Sequence, residues 1–216
     1  QMMSAVAAAV NGGYLVQPHL LEKTVNENGK VVKTTTTSYK RQVISETTSA
    51  TMRELMEFVS QNGAKNSLVS GYRIGAKTGT SQKVSKIQAT GDKYLYIGSC
   101  ITVAPIDNPE IAVLVMLDEP KGSNYYGGVI SAPVNSKIMA DVLPYLGYEP
   151  SYSEEEIKKL AIDVPDVVNS DLTSAKAQIT NAKLEYKVIG SGDKVIRQLP
   201  EAGKKVATGG VVILYT

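Results

Sequence analysis

The sequence predicts an α+β protein: an antiparallel sheet with packed helices, followed by a small second α+β unit with one helix on a three-stranded sheet. Three β-rich runs with short links, at residues 72–80, 94–104 and 111–117, support the first part. Strands that follow one another in this way pair antiparallel. A change of composition near residue 147 and a new helix-and-strand pattern from Val164 support the second part.

Helices are predicted before, between and after these strands. Residues 1–10 are small and apolar, and the Gly12-Gly13 pair that follows is typical of a helix end. The helix predicted over residues 45–62 has Ser45 as its N-cap and Gly63 at its end. Its predicted apolar face consists of Met52, Leu55, Met56 and Val59. A later helix, which begins near Ser131, is expected to bury Val134, Ile138, Val142 and Leu146 against the sheet.

The segments between these elements read as hairpins and loops. Asn26–Gly29 separates two short β-prone runs, which predicts a hairpin over residues 21–33. Residues 34–40 are polar and expected to be exposed, and residues 83–92 are predicted to be a polar connection. Residues 105–109 form a turn between the last two strands of the first sheet.

Two structural domains and a linker follow from these patterns. The first is predicted at residues 1–147, the linker at 148–163 and the second domain at 164–216. In the second domain Ser170 or Asp171 caps a helix. The apolar face of that helix consists of Leu172, Ala175, Ile179 and Ala182, and its strands are predicted at 186–189, 194–199 and 211–215.

Composition excludes several classes of function. A hydrophobic fraction of 43% is that of an ordinary globular protein, and a net charge of +2 argues against a dedicated nucleic-acid binder. The longest apolar run, Ile111–Leu117, is far shorter than the roughly 20 residues that span a bilayer. His19 is the only histidine, so no His-based metal cluster can form. No metal or cofactor is predicted.

The most informative segment is Lys77-Thr78-Gly79-Thr80, at the end of a predicted strand. In a strand Lys77 and Gly79 face one side, and Thr78 and Thr80 face the other. An ammonium and hydroxyls can hold an anion, and a glycine lets another backbone or a ligand come close. The competing interpretation is a solvated edge strand that carries a charge against aggregation. A phosphate-binding P-loop is excluded because the glycine spacing is wrong and no helix follows directly.

Further segments give this motif its context. They are Asn11–His19, Ala104–Glu110, Leu117–Lys121, Tyr126–Gly128 and Ala132–Val134, and they occur in the order found in one family. Together with the Lys-Thr-Gly motif, which penicillin-binding proteins share with class A β-lactamases, they resemble the C-terminal part of the transpeptidase domain of class B penicillin-binding proteins. The resemblance covers residues 1–147. Ala76 departs from the family, which most often has glycine before the lysine.

The second domain is similar to a PASTA domain, a small module of such enzymes and of some bacterial receptor kinases. The similarity lies in Val164–Val167, Gly190–Asp193 and Gln198–Gly203. A class A β-lactamase would not carry this second unit. A single PASTA unit is reminiscent of sporulation-specific members of the family.

The resemblance implies a function for the parent protein. It would be a peptidoglycan D,D-transpeptidase that is acylated on a serine by a stem peptide ending in D-Ala-D-Ala, or by a β-lactam. Lys77 and Thr80 would be catalytic, with the Thr80 amide as half of an oxyanion hole. Thr78, Gly79 and Thr80 would bind the substrate carboxylate. The parent would lie on the extracytoplasmic face of the cell membrane, attached only through an anchor upstream of this chain.

The resemblance also implies that part of the machinery is elsewhere. The family needs a nucleophilic serine in a Ser-x-x-Lys motif and a Ser-x-Asn motif. Ser60-Gln61-Asn62 has the second form, but the end of an amphipathic helix is the wrong place for it. The nucleophile is therefore expected in a missing N-terminal part of the same protein, and this chain is predicted to be inactive alone. The alternative hypothesis is a non-catalytic module that binds peptidoglycan through the PASTA unit.

Overall fold

The computed structural model describes residues 1–92, 95–152 and 162–216, and it divides into two compact units. One unit comprises Gln1–Ser67 and Arg73–Ala132, and the other comprises Leu68–Tyr72 and Pro133–Thr216. The α+β class is confirmed. The predicted linker at 148–163 falls largely on residues 153–161, which lie outside the described residues, so its bounds stay a prediction.

Besides its main sheet, the described part of the first unit contains helices and two short strand pairs. The helices are α1 (Met2–Val10), α2 (Glu46–Asn62), α3 (Val84–Thr90) and α4 (Gly127–Ile130), with a 3-10 turn at Lys65–Ser67. The short strands are β1 (Tyr14–Gln17), β2 (Lys23–Val25), β3 (Val31–Thr34) and β4 (Ser38–Gln42). Strand β1 pairs with β4, and β2 pairs with β3 as the predicted hairpin.

The main sheet has three antiparallel strands in the order β5 (Gly75–Gln82), β6 (Tyr96–Ala104) and β7 (Ile111–Asp118). Strand β5 therefore lies at an edge, and its ladder with β6 runs without interruption from Gly75 to Gln82. The buried cluster beneath this sheet joins α1, α2 and β6 with the turn that follows β6. Its members are Val10, Met56, Val103 and Ile106.

Helix α2 begins and ends where predicted, and its buried face was predicted in part: Met56 is buried and Met52 and Val59 are half-buried. The Ser45 hydroxyl accepts a hydrogen bond from the Thr48 amide at 3.1 Å, and Gly63 is the C-cap. Leu55 is exposed, whereas Ser49 and Ser60 are buried. The reason is that backbone groups meet this face and need hydrogen-bond partners. The Gly12 amide donates to Ser49 at 2.9 Å, and Ser60 donates to the Ile74 carbonyl at 2.6 Å.

Three other predictions for the first unit need additions or corrections. Residues 34–40 are largely exposed as expected, but strand β4 begins within them and pairs with β1 through its backbone. Residues 83–92 contain helix α3, which buries no side chain and so leaves no apolar period. Strand β5 begins at Gly75 rather than at residue 72, because the ladder to β6 starts there.

In the second unit, helix α5 (Ala132–Tyr145) buries a different stripe from the one predicted. Val134 and Leu146 are exposed, and the buried line consists of Ala132, Asn135, Met139 and Leu143. The line is displaced by one residue, which is about 100° around a helix. Ala132 is small and Asn135 is polar, so this buried line does not appear as an apolar pattern in the sequence.

The C-terminal domain matches its prediction closely. Strands β10 (Arg197–Leu199), β12 (Val211–Tyr215) and β9 (Glu185–Ile189) form one sheet with β12 in the centre, parallel to β9 and antiparallel to β10. Short strands β8 (Ile162–Asp163) and β11 (Lys205–Val206) form a second pair. Helix α6 (Leu172–Asn181) is capped by Asp171, whose carboxylate accepts from the Ser174 amide at 2.9 Å. Its predicted face is confirmed, with Ala175 and Ile179 fully buried.

Candidate active site

Strand β5 carries every residue that the sequence pointed to as functional. Lys77 pairs with Ile101 of β6, Thr78 with Cys100, and Thr80 with Gly98. Among the described residues β6 is the only strand that pairs with β5. Because alternate amides of an edge strand point away from its one neighbour, half of the backbone groups of β5 point away from β6.

Lys77 is exposed, and within the described parts of the chain its ammonium forms no ion pair with a carboxylate. Its Nζ donates to the carbonyl of Thr78 at 2.7 Å. A cation that is satisfied only by a neighbouring backbone carbonyl keeps two donors for another group. Lys77 can therefore hold an anion without first giving up a salt bridge.

The two threonines differ in their surroundings. Thr78 is half-buried and Thr80 is exposed. The Gly127 amide donates to the Thr80 hydroxyl oxygen at 3.3 Å. A hydroxyl that accepts one hydrogen bond still has its own proton to donate. Thr80 is thus oriented by the turn before α4 and remains able to bind an oxygen ligand.

Gly127 allows the close approach of this turn to strands β5 and β6, and Gly79 allows the close approach of the Ser99 side chain of β6. A Cβ on Gly127 would lie 2.1 Å from the Ser99 carbonyl oxygen and 2.5 Å from the Gly79 carbonyl oxygen. A Cβ on Gly79 would lie 2.7 Å from the Ser99 hydroxyl. Any side chain on Gly127 would displace the turn from β5, and with it the donor to Thr80.

A cluster of tyrosines next to this turn was not predicted from the sequence. The rings of Tyr96 and Tyr125 are stacked, with centroids 4.1 Å apart and planes 8° apart, and Tyr126 lies 4.6 Å from Tyr125. The hydrogen bond between the two neighbouring hydroxyls, together with burial, raises the pKa of Tyr125 to about 12. Tyr96 is far away in sequence, so only the Tyr125-Tyr126 pair before two glycines could have drawn notice.

The other serine motifs are not suited to catalysis. Ser60 is fully buried, and its hydroxyl is used by the carbonyls of Glu57 and Ile74, each at 2.6 Å. Ser191 and Lys194 also have Ser-x-x-Lys spacing, which went unnoticed in the sequence. They lie in an exposed turn between β9 and β10 of the second unit, where no helix aligns the two side chains on one face.

The structure adds two findings on ligands and membranes. Among the described residues no group of three or more His, Cys, Asp and Glu side chains could hold a metal ion. None of the described helices combines the length and the apolar character required to cross a bilayer.

Comparisons with known proteins identify the family of this chain. Residues 1–140 match the family described as penicillin binding protein transpeptidase domain, and residues 162–216 match the PASTA domain. Stage V sporulation protein D of Bacillus subtilis is 38% identical over an alignment that covers 100% of this chain and 34% of that protein. The probable peptidoglycan D,D-transpeptidase PenA of Neisseria flavescens is 37% identical over 51% of this chain and 28% of its own length.

Solved structures give the same fold. The apo transpeptidase domain of Burkholderia pseudomallei penicillin-binding protein 3 superposes with a TM-score of 0.55 at 30% identity, over 70% of this chain and 43% of that one. Penicillin-binding protein 2X of Streptococcus thermophilus superposes with a TM-score of 0.53 over 100% of this chain and 33% of that one. At 18% identity the second likeness concerns the fold alone.

The chain spans only about a third of the length of the sporulation protein. The family match nevertheless covers well over half of the residues and contains the whole of strand β5. The chain belongs to the class B penicillin-binding proteins, with part of their transpeptidase domain followed by a PASTA domain.

Proposed function

We propose that this chain supplies the Lys77-Thr78-Gly79-Thr80 strand of a peptidoglycan D,D-transpeptidase, and that the nucleophilic serine lies on polypeptide outside it. The observation that carries the proposal is the position of these residues on an exposed edge strand of a domain of this family. Relatives named as D,D-transpeptidases support the reaction class.

The reaction has two acyl-transfer steps. The serine oxygen attacks the carbonyl between the two terminal D-alanines, the C–N bond breaks, and D-alanine leaves with a proton. An amine of a neighbouring stem peptide then attacks the ester and releases the serine with its proton. β-Lactams enter the first step in the same way, but their leaving group stays attached to the acyl group.

Lys77 would supply positive charge to this site. Its exposure and its lack of a carboxylate partner in the described parts of the chain leave the ammonium available. It would contact the serine hydroxyl of the missing segment and the substrate carboxylate. A fixed cation beside developing negative charge stabilises the transition state more than the ground state.

Thr78, Gly79 and Thr80 would bind the substrate. The hydroxyls of Thr78 and Thr80 would donate to the carboxylate of the stem peptide or the antibiotic, and Gly79 keeps the strand free of a side chain between them. Hydrogen bonds to charged groups contribute about 1.5–3 kcal/mol. The hydrogen bond from Gly127 to Thr80 supports this role because it restricts the rotation of the hydroxyl.

The Thr80 amide would be half of the oxyanion hole. The Lys77 ammonium donates to the Thr78 carbonyl at 2.7 Å. This contact is the one expected if the Thr78 carbonyl points to the edge of β5 that faces away from β6. Thr80 is two residues further on, so its amide would point to the same edge. Removing one such donor costs about 2.7–4 kcal/mol in a comparable acyl-transfer enzyme.

The alternation of side chains fits a ligand that lies along this edge. Lys77 faces one side of the sheet and the two threonines face the other. A peptide placed beside an edge strand is within reach of both faces, because no further strand separates them. This arrangement would let the ammonium and the hydroxyls act on one ligand.

The remaining roles concern the whole protein. We infer that its partners are stem peptides and β-lactams, and that it works on the extracytoplasmic face of the membrane, where peptidoglycan is made, through an anchor outside this chain. Similarity over the full chain to a protein named for stage V of sporulation supports a role in sporulation.

Labelling with a fluorescent penicillin tests the proposal. The full-length protein that contains this chain should be labelled, and peptide mapping should place the label on a serine outside residues 1–216. The chain alone should stay unlabelled. Covalent label within residues 1–216, or no label on the full-length protein, would refute the proposal.

A further inference from the structure

Four charged side chains meet where strands β5 and β7 end. Lys83, the first residue after β5, places its Nζ 2.9 Å from Asp118 and 2.7 Å from Glu119. Lys86 of α3 makes a short contact with the same Glu119 carboxylate. We call these four residues the Lys83 cluster. It is balanced in charge, with two ammonium groups and two carboxylates.

The cluster is more than a chance pairing of surface charges. The side chains of Lys83 and Glu119 are only 24% and 18% exposed, and Glu119 has two cationic partners. Isolated exposed pairs contribute little, but networks with restricted side chains contribute more. The backbone of Glu119 is left-handed, with φ of 50°. This conformation favours glycine or asparagine, so the ion contacts explain the glutamate better than the backbone does.

The cluster lies at both ends of the connection between β5 and β6. The Lys83 amide donates to the Leu95 carbonyl, and the Glu119 amide donates to the Tyr96 carbonyl, each at 2.9 Å. Helix α3, within this connection, buries no side chain and has no side-chain cap. Residues 83–92 therefore have little apolar anchoring, which leaves the charged contacts at their start to order them.

We propose that Lys83 and Glu119 are positioning residues of the transpeptidase reaction, which hold residues 83–92 and the end of β5 in place beside the substrate site. Lys83 follows Thr80 by three residues, about 10 Å along a strand. Neither residue touches a reacting atom. The inference rests on the proposed function, because the site that it serves is the one formed by Lys77 and Thr80.

Hydrogen exchange on this chain tests the structural half of the inference. In Glu119→Gln the amides of residues 83–92 should exchange about tenfold faster. Glu119→Gly should show the same loss although it relieves the left-handed backbone. Lys205→Gln, which removes the ion pair of Lys205 with Asp163 in the PASTA domain, is the matched control and should leave residues 83–92 unchanged. Unchanged exchange in Glu119→Gln, or restored protection in Glu119→Gly, would overturn the inference.

Acylation of the full-length protein by penicillin tests the positioning half. Because small displacements of catalytic groups are costly, Glu119→Gln should lower the acylation rate constant about tenfold with little change in penicillin affinity. Lys83→Arg, which keeps the charge, should retain most of the rate. If the wild type is acylated and Glu119→Gln is acylated at the same rate, the positioning role is overturned and the proposed function is not. A wild-type protein that is not acylated overturns the proposed function and the positioning role together.

Discussion

The PASTA domain and the first unit differ in the contacts that stabilise each of them. In the PASTA domain one apolar cluster joins nine buried residues from α6, strands β11 and β12 and the adjoining loops. The described cluster under the main sheet of the first unit has four. Around the candidate site the first unit relies instead on glycine contacts, buried serines and ion pairs. A closed apolar core gives a small domain its stability, whereas polar and close backbone contacts fix the geometry of a site.

The largest effect on stability is expected in the PASTA core. Leu214 lies on the central strand β12 and is fully buried. Leu214→Ala should cost about 2–5 kcal/mol, which is comparable to the whole stability of a domain this small. The dispersed amide NMR resonances of the PASTA domain should collapse. Ile196→Ala is the control, because Ile196 is 68% exposed, and it should leave them in place.

A smaller effect is expected where backbone contact fixes the candidate site. Gly127→Ala places a methyl group against the carbonyl oxygens of Ser99 and Gly79. We expect a loss of about 1–3 kcal/mol from the first unit, as for other overpacked positions, measured by thermal unfolding. Gly122→Ala should be neutral, because no atom lies within 4 Å of the added Cβ. Equal melting curves for the two variants would contradict the packing described for the turn.

Ser60→Ala separates a structural serine from a catalytic one. The change removes the donor to the Ile74 carbonyl in a buried position and should cost about 1 kcal/mol. Penicillin acylation of the full-length protein should stay within about twofold of wild type, because Ser60 has no access to a substrate. A large loss of acylation with unchanged stability would show that Ser60 belongs to the active site after all.

A pH series should show the contribution of the ion pairs between Glu119 and the two lysines, Lys83 and Lys86. Hydrogen bonds from Lys83 and Lys86 lower the pKa of Glu119 to about 2. A carboxylate whose pKa falls on folding stabilises the fold above its ordinary pKa near 4.5, and this contribution disappears as the pH falls through the folded value. The difference in hydrogen exchange of residues 83–92 between wild type and Glu119→Gln should therefore be largest near neutral pH.

That difference should shrink between about pH 4.5 and pH 2. Glu54→Gln, on the exposed face of α2, serves as the control and should show no such dependence. A difference that is the same at neutral and acid pH would contradict the ionic origin of the effect.

Local signals in the sequence predicted much of this fold. Caps such as Ser45, the hairpin around Gly29 and the apolar runs of β6 and β7 act over a few residues, and each was found. The face of α6 was also correct, because its buried positions are apolar.

The features that the sequence did not predict depend on long-range contacts or lack an apolar pattern. The buried face of α2 carries Ser49 and Ser60 because distant backbone groups need their hydroxyls. Helix α3 has no apolar period, and the Lys83 cluster joins residues about 35 positions apart in the chain. The candidate site was located through the motif on β5, but its support from Gly127 and the tyrosines depends on tertiary packing.

Lys77 offers the most direct test of the catalytic role assigned to strand β5. The measurement is the penicillin acylation rate of the full-length protein with Lys77→Met, beside the control Lys205→Met in the PASTA domain. We predict a fall of about 10²–10³ for Lys77→Met with an unchanged thermal unfolding curve, and no change for the control. A Lys77→Met protein that is acylated at the wild-type rate would contradict the role of this strand.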